Sequence, residues 1–308
     1  MPVSPIEHLT GIVPVEAGVG TSAVAMPASD WFSSGAGFYL GGVLALLADA
    51  PLGAAIITGL PQGTALTTQE LTLHFLRPAG PDSRRLTARG QIIHGGRAIG
   101  LSEVNIQDAE GRLLAYGSSR CVTLRVPVPD SAPARPAEQI PPTWVPPIER
   151  PVQGALTPAD DFASRSGREL LDGWTDGSLP LPPVCHLFGM HPQGGADGVA
   201  MADMPASGWL MNPAGTVYGG ALAMMADAAI SFAATTILPV GHSFTTLDLK
   251  VNFLRPVRPD GQTLTAEGRI IHAGKRMLVA SGEVLDAQGR QVVVATGSQM
   301  LVPAHVGS

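Results

Sequence analysis

Gly41–Ala50 reads GGVLALLADA, and Gly219–Ala228 reads GGALAMMADA. The correspondence continues outward from this pair. Met26–Trp31, MPASDW, matches Met204–Trp209, MPASGW; Phe75–Pro78, FLRP, recurs at Phe253–Pro256; and Leu86–His94, LTARGQIIH, matches Leu264–His272, LTAEGRIIH. Every block is offset by 178 residues, Asp49 to Asp227 as much as Arg77 to Arg255. A fixed offset without gaps marks a duplicated domain, so the fold reduces to one unit of roughly 125 residues.

The 308 residues suffice for two such domains, each burying its own core. The expected division is 1–126 for the first domain, 127–154 for a linker and 155–308 for the second domain with a leading helix. The linker is dense in proline (Pro127, Pro129, Pro133, Pro136, Pro141, Pro142, Pro146, Pro147, Pro151), which predicts an extended spacer of polyproline II character. Beyond it, Thr157 or Asp160 is placed to cap a short amphipathic helix through Phe162, Leu170 and Leu171.

Within each unit a run that is apolar on all faces predicts a buried helix from Gly41 and from Gly219. Pro51 falls inside the first copy and predicts a kink or an early break. An extended segment precedes each helix, at 19–27 and 197–204. Four strands follow it, with Leu71, Leu73 and Phe75, and likewise Leu249, Val251 and Phe253, alternating with polar residues. Asp108–Gly111 and Asp286–Gly289 carry tight-turn chemistry. The order β-α-β-β-β-β places the chain in the α+β class, each helix wrapped by an antiparallel five-stranded sheet.

A net charge of −6 gives no basic footprint, so nucleic acid is excluded as an expected partner. The only cysteines, Cys121 and Cys185, fall at non-equivalent positions and form no metal or disulfide framework, which suits a reducing cytoplasm. The N-terminus, MPVSPIEHLT, lacks the pattern of a signal peptide. No apolar run is expected to reach the roughly 18 residues of a membrane helix. His94 and His272 repeat at a strand end with no further ligand at metal spacing. There is no nucleophile elbow, phosphate-binding loop or dinucleotide fingerprint.

Asn212-Pro-Ala-Gly215, Tyr218-Gly219-Gly220, Asp227 and Phe253-Leu-Arg-Pro256, with their first-unit counterparts, resemble the hotdog-fold acyl-CoA thioesterases of the phenylacetate-pathway (PaaI-like) type, in tandem double-hotdog form. The resemblance implies hydrolysis of an acyl-CoA thioester to free acid and CoA, without metal or redox cofactor. It also implies a homodimer of tandem-domain chains. The family's histidine before the glycine pair is here Leu40 in the first unit and Tyr218 in the second, and its asparagine is Ser34 and Asn212. Its aspartate is kept as Asp49 and Asp227, and its small hydroxyl residue on the next strand is matched by Thr67 and Thr245.

Thioester hydrolysis needs a base or nucleophile and a place for negative charge on the carbonyl oxygen. Backbone N–H groups at Gly41 and Gly219 open a helix and suit the second role. An aspartate in an apolar helix is desolvated, which raises its basicity, and it can serve as base or as nucleophile. Gly41 and Asp49 stand eight residues apart, roughly 12 Å along a helix axis. One carbonyl cannot reach both, so each aspartate is expected to meet the glycines of the other helix. Two composite sites result: Asn212, Tyr218 and Gly219 with Asp49 and Thr67, and Ser34, Leu40 and Gly41 with Asp227 and Thr245. The first, richer in polar groups, is expected to be the better catalyst.

Arg77 and Arg255, and likewise Arg97 and Lys275, are either solvated strand-end charges or contacts to CoA phosphates. The loss of histidine before both glycine pairs keeps a second reading open, a non-catalytic protein that binds or senses acyl-CoA. A hydratase would need a paired Asp and His that the sequence does not supply.

Overall fold

The computed structural model describes residues 4–61, 63–125 and 145–304. The first unit comprises α1 (Pro5–Thr10), β1 (Val13–Gly18), β2 (Thr21–Pro27), α2 (Gly41–Thr58), β3 (Thr64–Phe75), β4 (Arg85–Gly95), β5 (Ile99–Gln107) and β6 (Leu113–Arg125). Two helices follow, α3 (Ala159–Ser164) and α4 (Gly167–Asp176). The second unit repeats the first as α5 (Pro183–Phe188), β7 (His191–Ala196), β8 (Val199–Pro205), α6 (Gly219–Thr235), β9 (His242–Phe253), β10 (Thr263–Ala273), β11 (Met277–Leu285) and β12 (Gln291–Pro303).

All twelve strands form one sheet in the order β1-β2-β4-β5-β6-β3-β9-β12-β11-β10-β8-β7. The units join where β3 pairs antiparallel with β9, Leu71 opposite Val251 and Leu73 opposite Leu249. Helix α2 packs on β2–β6, α6 packs on β8–β12, and the two helices pack on each other. Val43, Leu44, Leu46, Leu47 and Leu52 of α2 are all buried. Each such leucine contributes about 1.5–3 kcal/mol on leaving water, which is why a helix apolar on every face settles between sheet and partner helix.

Three local expectations are corrected. Each unit has six strands, because the segment ahead of the helix is a hairpin that turns at Gly20 and Gly198, both with positive φ. Helix α2 runs unbroken through Pro51. It is held on the sheet there, with the Ser102 hydroxyl donating to the Leu52 carbonyl at 2.9 Å. The amphipathic segment after the linker is two helices, and neither Thr157 nor Asp160 caps them. Ser166 caps α4 in a capping box with Glu169, and Thr157 Oγ1 accepts from Trp174 Nε1 at 3.0 Å.

Of the expected linker 127–154, residues 127–144 lie outside the described residues. Its last part, Pro147–Glu149, is one turn of 3-10 helix, and Ile148 packs on the core. Helix α2 is also long and apolar enough to cross a membrane, contrary to the expectation of no such run, but 72% of it is buried in the fold.

Candidate active site

The two central helices cross with their glycine pairs against each other's backbone. A Cβ on Gly42 would lie 2.5 Å from Met224 Cα, and one on Gly220 would lie 2.6 Å from Leu46 Cα. Only glycine permits that approach. The same closeness delivers each carboxylate to the opposite helix N-terminus. Gly42 N–H donates to Asp227 Oδ2 at 2.7 Å, and Gly220 N–H donates to Asp49 Oδ2 at 2.9 Å. The exchange between helices is as expected, but the second glycine of each pair, not Gly41 or Gly219, is the donor. Gly41 and Gly219 open the helices, where N–H groups have no intrahelical acceptor, and Gly219 lies directly against the Asp49 carboxylate.

Burial dominates the electrostatics of both aspartates. It pushes Asp227 up to about 6 against the opposing pull of the Gly42 N–H. It pushes Asp49 up to about 6 against the Gly220 N–H and the Thr68 hydroxyl. Each carboxylate sits at the positive end of a helix dipole, which favours the charged form but does not offset desolvation.

The threonine near Asp49 is Thr68, whose hydroxyl donates to Asp49 Oδ1 at 3.3 Å; Thr67 is exposed. Strict alternation from Leu71 and Leu73 would turn Thr67 inward. A bulge at Gln69 shifts the phase, since Thr68 pairs with Cys121 and Glu70 with Arg120. The second unit repeats the bulge at Leu247 and pairs Thr246 with Gln299. Thr246 is therefore the counterpart of Thr68, with Thr245 beside it.

Asn212 and Tyr218 do not serve the Asp49 centre as expected. The Asn212 side chain closes its own turn, accepting from Ala214 N–H and Thr216 N–H and donating to Thr216 Oγ1 at 3.0 Å. The buried Tyr218 hydroxyl donates to the Leu46 carbonyl at 2.9 Å, and burial raises its pKa well above the usual phenol value. Both are held by the fold before any substrate arrives.

The polar residues that the Asp227 centre does contain escaped the sequence reading. Gln299 is fully buried and donates to Ser231 Oγ at 3.5 Å; Ser231 lies one turn beyond Asp227 on α6. Asp227 Oδ1 and Gln299 Oε1 are both buried without a hydrogen-bonding partner among the described residues. At the matching positions the Asp49 centre has Gly53 and Cys121. Burial pushes the Cys121 thiol up to about 11, far from a thiolate nucleophile. A glutamine standing opposite a cysteine between the two copies was the signal available in the sequence.

A cavity of about 850 Å³ lies beside this second centre, between the start of α2 (Ser34, Leu40, Gly41) and α6 with β9 (Ser231, Thr245, Thr246). Arg77 is the one charged residue in its lining among the described residues. Arg77 Nη1 donates to the Leu113 carbonyl at 2.6 Å, and Arg255 makes the equivalent bond to the Gln291 carbonyl. Arg255, Arg97 and Lys275 do not line the cavity, and the last two stand exposed near the β4–β5 and β10–β11 turns. No three His, Cys, Asp or Glu residues cluster as metal ligands among the described residues.

Two hotdog units in one sheet, with the carboxylate of each central helix held by the N-terminus of the other, define a tandem double-hotdog protein. The chain belongs to the thioesterase superfamily, whose profile matches residues 36–115 and 214–293. It is 35% identical over 92 residues to a protein described as an esterase from Halobacterium salinarum. That match takes in 27% of the chain and spans 59% of the length of the relative. The tesB protein of Mycobacterium avium subspecies paratuberculosis aligns over 97% of the chain and 98% of its own, with a TM-score of 0.58 and 13% identity. Acyl-CoA thioesterase II TesB2 of Mycobacterium marinum aligns over 98% of the chain and 99% of its own, with a TM-score of 0.56 and 16% identity. At these identities the two structures share the fold.

Proposed function

We propose that the chain hydrolyses acyl-CoA thioesters to free acid and CoA at the composite centre built on Asp227. The observation that carries the reading is the cavity that opens against Gly41, Ser231 and Thr246, with Asp227 and Gln299 buried behind this lining and their Oδ1 and Oε1 acceptors open among the described residues. Two acceptors and the Thr246 hydroxyl suit the orientation of a water. Asp227, its basicity raised by burial, takes the proton as the water oxygen attacks the thioester carbon. The carbonyl oxygen gains charge against the N–H of Gly41 that opens α2, where helix dipole and donor stabilise it, while the Gly42 N–H holds Asp227. The C–S bond then breaks, the leaving CoA sulfur takes the proton from Asp227, and CoA departs as the free thiol. Arg77 in the cavity lining retains N–H donors for a CoA phosphate beyond the one bonded to Leu113. The reaction as written requires no metal or redox cofactor.

This reading reverses the expected ranking of the two centres. It comes with a reducing cytoplasmic setting, which two free buried cysteines suit, and a homodimer of tandem chains, which sedimentation would test. The decisive experiment mixes the protein with a panel of acyl-CoAs and a thiol reagent. Saturable thiol release is expected. Saturable binding without release would replace hydrolysis with a sensing role.

A further inference from the structure

The cavity has a third source of walls besides the two hotdog units. Leu156, Thr157 and Pro158, together with Phe162 of α3 and Trp174 of α4, line it from the segment that joins the units. This segment is firmly seated. Thr157 N–H donates to the Gly35 carbonyl at 2.9 Å, and Trp174 is pinned through its Nε1 to Thr157. The Trp174 ring lies 6.3 Å from that of Phe232 on α6, and a Cβ on Gly35 would stand 2.8 Å from it. The indole thus fills the gap between the loop ahead of α2 and the middle of α6. Gly167 at the start of α4 packs on the Thr235 carbonyl so closely that a Cβ would overlap it.

The α6 residues of the lining run from Ser231 to Thr235, with Leu238 beyond the helix end. Thr235 is eight residues past Asp227, about 12 Å along the axis. The far lining is apolar, with Phe232, Leu238 and Phe244 alongside Phe162 and Trp174. Resting on the reading of the Asp227 centre as a thioesterase, we propose that the inter-unit segment is the specificity wall of this site. The acyl group lies along α6 away from Asp227, and Phe162 with Trp174 sets the largest acyl group accepted. A rigid apolar wall discriminates steeply, about 10- to 200-fold for one methylene too many.

The test compares kcat/KM for straight-chain acyl-CoAs of increasing length in the parent chain, in Phe162→Ala and in Ala159→Phe. Ala159 is exposed and lines the same wall, so added bulk there does not tax the core. Phe162→Ala is expected to raise kcat/KM about tenfold for the first acyl length the parent rejects. Ala159→Phe is expected to lower it for the longest accepted length. A length profile unmoved in both variants, or a loss uniform over all lengths, overturns the proposal. A parent chain that releases no thiol from any acyl-CoA overturns the thioesterase reading instead, which separates the two failures.

Discussion

Gly42 and Asp227 lie 185 residues apart in sequence and 2.7 Å apart at the backbone nitrogen and carboxylate oxygen. The carboxylate of the second unit is thereby held at the helix N-terminus of the first. Its mirror image, Gly220 with Asp49, spans 2.9 Å. The duplication therefore builds two centres that each draw on both units. What separates them is the residues at the matching positions: Ser231, Thr246 and Gln299 for one, Gly53, Thr68 and Cys121 for the other.

Asp227→Asn is expected to lower kcat by about 10²- to 10⁴-fold, the usual contribution of a positioned general base. Asp49→Asn should leave kcat near that of the parent, because the cavity stands over the other centre. Thiol release from one acyl-CoA by both variants and the double variant decides it. A larger loss from Asp49→Asn would restore the opposite ranking.

Gln299→Leu keeps an apolar, similarly sized side chain in the fully buried position opposite Thr246. It removes the open acceptor and the donor to Ser231. Loss of one buried hydrogen bond in the transition state corresponds to about tenfold in rate. The loss should appear in kcat and spare KM, because the carboxamide is assigned to the water and not to the acyl group. A change confined to KM would move Gln299 to substrate binding.

The fold was legible because duplication and an all-apolar helix leave few alternatives. Eight residues between Gly41 and Asp49 sufficed to require exchange between the helices, and the structure shows that exchange. The sequence misled where the local backbone departs from regularity. The family resemblance points to Thr67, and the one-residue bulge at Gln69 that brings Thr68 to Asp49 leaves no mark on the alternation of Leu71 and Leu73. Asn212 and Tyr218 were credited by residue type, yet their hydrogen bonds go to a turn and to the Leu46 carbonyl. Gln299 stood in plain view opposite Cys121, but its burial beside Ser231 is a tertiary fact.

Two glycine substitutions should move stability in opposite directions. A Cβ on Gly268 of β10 would stand 2.0 Å from the Ala229 carbonyl, so Gly268→Ala must push α6 off the sheet. A cost of about 1–3 kcal/mol is expected from such overpacking. Activity should fall with it, since Asp227 lies two residues from the contact. A Cβ on Gly53, inside α2, would meet only Leu66 Cδ1 at an ordinary 3.7 Å. Gly53→Ala should therefore stabilise by about 0.5–1 kcal/mol through helix propensity. Urea unfolding of both variants checks the pair.

The raised aspartates link activity and stability to pH in opposite senses. The base must be ionised to act, so kcat/KM should rise with pH through about 6 and level off above it. In the unfolded chain an aspartate ionises near pH 4. Between about pH 4 and about pH 6 the folded state binds more protons than the unfolded one, so stability falls as pH rises through that window. Below it both states are protonated and the penalty vanishes. Asp227→Asn removes the buried charge and can still accept the Gly42 N–H through its carbonyl oxygen. At pH 8 the variant is expected to be more stable than the parent by up to about 3 kcal/mol, two pKa units at 1.36 kcal/mol each, and at pH 4 the difference should close. Urea midpoints at the two pH values measure it. An inactive variant with equal or lower stability at pH 8 would show that the carboxylate is stabilised in place, and the source of its basicity would have to be sought elsewhere.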